Sequence, residues 1–74
     1  MQPLYMIESQ IAVKKQMLAA TDYQAIKFAE GLLTEEEFAE TKSRRETWRA
    51  EINQLEEERA RNYPEAAAEV ASLL

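Results

Sequence analysis

The chain has 74 residues, a mass of 8.6 kDa and a formal charge of −5 from fourteen acids and nine bases, enough for one small domain with a thin core. The absence of Cys and His excludes disulfides, thiolate zinc sites, a Cys nucleophile and the usual general base. One Gly and two Pro leave no room for a Gly-rich phosphate loop or a turn-rich β fold, and the acidic balance argues against simple electrostatic binding to nucleic acid or an anionic membrane.

Strong helix formers (Ala, Glu, Gln, Lys, Arg, Leu, Met) dominate, and no stretch sustains an apolar–polar alternation, so the chain reads as all-α. The first helix opens near Pro3, which suits a first-turn position, and runs to about Ala20. Thr21-Asp22-Tyr23-Gln24 has the capping-box pattern. It predicts a break with Thr21 as N-cap, Asp22 in a first turn that favours negative charge, and a short second helix from Asp22 to Glu30; the alternative is one continuous helix through Thr21, since Thr costs little inside a helix.

Gly31, the only glycine, falls where a helix should stop in a left-handed residue, with Leu32 and Leu33 folding back onto the core. Thr34-Glu35-Glu36-Glu37 repeats the capping box with three acids in the first turn. A long helix from Glu35 to about Asn62 follows, roughly 42 Å at 1.5 Å per residue. Tyr63-Pro64 ends it, because a residue before proline avoids the helical region. The expected organisation is a helical hairpin domain over residues 1–63 and a short C-terminal helical tail over 64–74, frayed unless a partner docks it.

At 100° per residue, Leu4, Ile7, Ile11 and Leu18 share one face of the first helix. Met6, Val13 and Met17 share another, about 130° away. A surface helix of a monomer normally carries one apolar stripe, so two stripes imply two surfaces to bury against. On the long helix, Phe38, Thr41, Arg45, Trp48, Ile52 and Leu55 step by three and four, a heptad seam. Residues 1–33 hold fourteen large apolar side chains and 34–74 only eight, more than this narrow seam covers. Another copy of the chain, or a larger protein, is expected to cover the excess.

The expected interface residues are Tyr5, Met6, Val13, Met17 and Trp48. Tyr5 precedes the first full turn, and Trp48 reads more as core than as interface because of its seam position. The expected helix caps are Thr21, Gly31 and Thr34. Glu40–Arg44 and Glu57–Arg61 are favourable pairs four apart. The basic cluster Lys42, Arg44, Arg45 and Arg49 reads as pairing with Glu40 and Glu46, with Arg45 stacking or snorkelling from the seam. The acid runs Glu35–Glu37 and Glu56–Glu58 occupy a first turn and an exposed face, and nothing suggests a pocket that would tune them for acid–base work or converge them on a metal. No catalytic, cofactor-binding or metal-binding residue is expected.

Three stretches carry a family resemblance: residues 18–31 (Leu18-Ala-Ala-Thr-Asp-Tyr-Gln-Ala-Ile-Lys-Phe-Ala-Glu-Gly31), Leu33-Thr-Glu-Glu-Glu-Phe38, and Arg45-Glu-Thr-Trp-Arg-Ala-Glu-Ile-Asn-Gln-Leu55. Across residues 17–57 the chain resembles small proteins of tailed bacteriophages and prophages from the tail or tail-fibre region, often called tail-fibre assembly or hypothetical tail proteins. The resemblance implies a non-enzymatic structural or assembly role, in the bacterial host cytoplasm or the phage virion. It carries over no catalytic residue.

The expected fold class is therefore all-α, a helical hairpin with a long coiled-coil-like second arm, assembling as an oligomer. It would act by helix packing in a homo-oligomer or on a phage virion protein. Cofactor, nucleic acid, membrane and small-molecule substrate have no part in this reading. The alternative is a small acidic phage-encoded inhibitor of a bacterial defence protein, with Glu35–Glu37 and Glu56–Glu58 as nucleic-acid mimics. A third possibility is a small anion held by Lys42, Arg44 and Arg45 between protomers.

Overall fold

The computed structural model describes residues 1–67 and shows two long helices packed as a hairpin. Helix α1 spans Leu4–Ala29 and α2 spans Glu35–Asn62. Their 26 and 28 residues give lengths of about 39 and 42 Å. The all-α hairpin, the Gly31 stop and both ends of α2 agree with the sequence reading.

Pro3 precedes α1 in an extended conformation, and its carbonyl accepts from the Met6 and Ile7 N–H groups at 3.1 and 3.2 Å. At the other end, Gly31 has φ +79°, a conformation that costs glycine nothing. The Gly31 N–H donates to the Phe28 carbonyl at 3.0 Å, and the Leu32 N–H to the Lys27 carbonyl at 2.8 Å. These two bonds form a Schellman closure that satisfies the last carbonyls of α1. Leu33 is half-buried, but Leu32 stays exposed, so only one of the two leucines expected to fold back onto the core does so.

Thr34 then caps α2. Its Oγ1 accepts from the Glu37 N–H at 3.1 Å, while the Glu37 carboxylate accepts from the Thr34 N–H at 3.0 Å. Glu35, Glu36 and Glu37 fill the first turn, where the helix dipole favours them.

The expected break at Thr21 does not occur, and Thr21 is not a cap: α1 runs through it without interruption. The Thr21 hydroxyl lies 3.1 Å from the Met17 carbonyl and 3.0 Å from that of Leu18, the local bonding that lets threonine sit inside a helix. Gln24, expected to reach back to Thr21, instead accepts from the Thr41 hydroxyl of α2 at 2.8 Å. Two helices therefore stand where three were expected. Continuity also has a packing reason, since it carries Phe28 to the loop end, where its ring stacks on Phe38 at 4.6 Å and 11°.

The core is thin, as the chain length requires. Ile7 is fully buried, and with Ile11, Ile52 and Leu55 it forms one cluster against which Leu18 and Tyr63 pack. The heptad seam of α2 faces this cluster, with Phe38, Ile52 and Leu55 buried and Thr41, Arg45 and Trp48 half-buried. Beyond α2, Tyr63 leaves the helical conformation, and residues 64–67 are helical again. The Tyr63 hydroxyl donates to the Gln2 carbonyl at 2.7 Å and ties the open end of the hairpin. The rest of the expected tail, residues 68–74, lies outside the described residues.

Candidate functional site

The apolar positions of α1 belong to a fuller repeat than the four noted from periodicity. Leu4, Ile7, Ile11, Lys14, Leu18, Thr21, Ala25 and Phe28 alternate steps of three and four. Two of these seam positions are polar, and each meets a polar group of α2. Lys14 pairs with Glu51 at 3.0 Å. Thr21 accepts from Arg45 Nη1 at 2.6 Å.

Arg45 does more than snorkel. The same Nη1 donates to the Leu18 carbonyl at 2.8 Å, and Nη2 pairs with Asp22 at 3.0 Å. One guanidinium thus engages a carbonyl, a hydroxyl and a carboxylate of α1 with its side chain only 13% exposed. The signal that could have found this contact is Arg45 itself: a cation on a packed seam needs acceptors across it.

The rest of the basic cluster is ordinary surface. Arg44 pairs with Glu40 four residues back, as expected. The expected Glu57–Arg61 pair does not form, and Arg59 instead lies 3.8 Å from Glu56. Lys27 sits over the Tyr23 ring, 5.5 Å from its centroid. Hydrogen bonds from Thr34, its backbone N–H first and then its side chain, hold the Glu37 carboxyl below the ordinary glutamate range. These groups stabilise helices and do not converge on a common point. Among the described residues, no group of three or more carboxylates is placed to hold a metal ion. No helix there is long and apolar enough to cross a membrane.

What remains is the solvent side of α1. Met6, Val13 and Met17 are 40%, 46% and 41% exposed, so the second stripe is separate from the core and half open in the single chain. Tyr5, Tyr23 and Ile26 are more exposed still. Among the described residues, every exposed large apolar side chain lies within the first 32 positions, and none is on α2. Trp48 does not join this surface. It is half-buried on the α2 seam between Arg45 and Ile52. The candidate interface residues therefore divide: Tyr5, Met6, Val13 and Met17 share one open helix, and Trp48 belongs to the hairpin seam.

No family model, no curated protein and no solved structure matches this chain.

Proposed function

We propose that this chain is a non-enzymatic structural or assembly protein of a tailed bacteriophage or prophage. It works by packing the Met6, Val13 and Met17 face of α1 against a second copy or a virion protein. The observation that carries the packing role is the segregation of exposed large apolar side chains, among the described residues, into the first 32 positions, most of them on α1 and none on α2. Such a face on a small hairpin lowers the free energy of association without any site chemistry. At about 25 cal/mol per Å² of apolar area, three side chains supply useful affinity only with neighbours such as Tyr5 engaged. The phage context rests on the resemblance over residues 17–57.

The mimicry alternative is less well supported by the arrangement of charge. Glu35–Glu37 and Glu56–Glu58 sit toward opposite ends of α2, with Lys42, Arg44, Arg45 and Arg49 between them diluting the negative field.

Absolute mass by light scattering at low and high salt tests the packing role. A discrete multimer, or a discrete complex with a co-purifying virion protein, whose mass resists salt supports it. A chain that stays at 8.6 kDa at micromolar concentration without a partner contradicts it. Binding that falls steeply with ionic strength would favour the mimic instead. Mass spectrometry of tailed particles induced from the source bacterium tests the phage context, which fails if the chain is absent from both the particles and their assembly intermediates.

A further inference from the structure

We infer that the partner on α1 is the α1 of a second copy, laid antiparallel about a two-fold axis near residue 15. This inference rests on the packing role proposed above and names its partner. The first observation is charge. Of the 28 residues of α2, fifteen are charged, against five of the 26 in α1. Two chains that each carry −5 repel. A neutral surface lets them approach without opposing like charges, and across a two-fold axis residue i of one copy meets residue j of the other while j meets i.

The second observation is the repeat. Met6, Gln10, Val13, Met17, Ala20 and Gln24 alternate steps of four and three, a heptad seam with no charged member. It runs beside the seam that faces α2, so α1 carries two seams; the hairpin fills one and engages only Gln24 of the other, through Thr41. Centred on residue 15, antiparallel pairing sets Val13 against Met17, Gln10 against Ala20, and Met6 against Gln24. The large side chains meet at the centre, and the amides lie toward the ends.

Electrostatics selects the direction. Parallel packing would gather Glu30 and Glu35–Glu37 of both copies at one end. Antiparallel packing separates the two acidic turns by about the 39 Å length of α1, several Debye lengths at ~0.1 M salt, and sets each toward the other copy's Glu56–Glu58 end, where Arg59 and Arg61 offset two of the three acids. It also sets the two helix dipoles head to tail.

The chain has no cysteine, so introduced thiols report alone. Differently tagged Val13→Cys and Met17→Cys proteins are mixed and oxidised, and light scattering is recorded on the unmodified chain over a concentration series. The expected result is twice the 8.6 kDa mass, mixed V13C–M17C disulfides in excess over V13C–V13C, and a monomer with unchanged helicity for the V13E/M17E double variant. An oligomer that persists in V13E/M17E, or in which V13C joins V13C at least as readily as M17C, overturns the antiparallel pairing and leaves the assembly role standing. A monomer that binds a virion protein through the same face does the same. A monomer that binds nothing overturns both.

Discussion

Arg45 and Thr21 meet across the hairpin, with Nη1 donating to Oγ1 at 2.6 Å at the position where α1 was expected to break. The bond is one of three that this guanidinium makes to α1, the others going to the Leu18 carbonyl and the Asp22 carboxylate. A threonine that would suit an N-cap thus becomes an interior residue with a cross-helix partner. Charge-assisted bonds from a largely buried guanidinium are stronger than the local bonds of a cap.

Removing that guanidinium leaves the Leu18–Asp22 segment without its tie to α2. Arg45→Ala should cost about 1–3 kcal/mol, read from urea unfolding followed by circular dichroism. Arg45→Lys should recover only part of the loss, because one ammonium cannot span the three acceptors that the planar fork reaches. Asp22→Asn, at an exposed position, should cost less than about 1 kcal/mol. Equal losses for Arg45→Ala and Asp22→Asn would show that the carbonyl and hydroxyl bonds contribute nothing.

The Thr34–Glu37 box makes stability depend on acid. The folded-state pKa of Glu37 is depressed by its bonds from Thr34. Its contribution is therefore complete above the unfolded glutamate value and is lost as pH falls through the lower folded value. Glu37→Gln keeps an acceptor but does not titrate. The stability gap between the native chain and Glu37→Gln should shrink from pH 7 toward pH 3. A gap that stays constant over that range would mean that the bond does not favour the ionised form. Thr34→Ala should cost about 1 kcal/mol at neutral pH.

Gly31 offers a test of backbone strain separate from packing. A Cβ built there meets nothing within 4 Å, so the penalty of Gly31→Ala comes from φ +79° alone. It should be about 1–2 kcal/mol, and less for Gly31→Asn, which tolerates the left-handed region. Thermal unfolding of the two variants measures this, and equal midpoints would argue that the turn relaxes into another conformation.

Burial separates the two apolar stripes of α1. Ile7→Ala removes a fully buried side chain and should cost about 2–5 kcal/mol, a large share of what so small a domain can hold. Val13→Ala, at a half-open position, should leave unfolding of the isolated hairpin within about 0.5–1 kcal/mol and act on association instead. Chemical denaturation at low and high protein concentration distinguishes the two effects, since only an association term depends on concentration.

Much of the hairpin was legible because its signals are local. A left-handed glycine, a Thr-x-x-Glu box and a Tyr-Pro stop act within a few residues, and each lies where the spacing set it. The α2 seam was legible for a similar reason: alternating steps of three and four mark a face whatever packs on it. The same rules misled at Thr21, where the capping pattern is present but Thr41 and Arg45 draw Gln24, Thr21 and Asp22 into cross-helix bonds. The Lys14–Glu51 pair was invisible for the same reason, since its partners are 37 positions apart in the chain.

The amino-acid order by itself determined the all-helical chain, the bounds of α2, the turn before it and the presence of two apolar stripes on α1, because propensity, capping and periodicity are properties of neighbouring residues. Only the tertiary structure decided that α1 is unbroken, that Arg45 bridges to Leu18, Thr21 and Asp22, and that the Met6, Val13 and Met17 stripe is the one left open. Those outcomes depend on which face α2 covers. That choice is made by fitting Ile52 and Leu55 against Ile7 and Ile11, a contact between residues far apart in the chain.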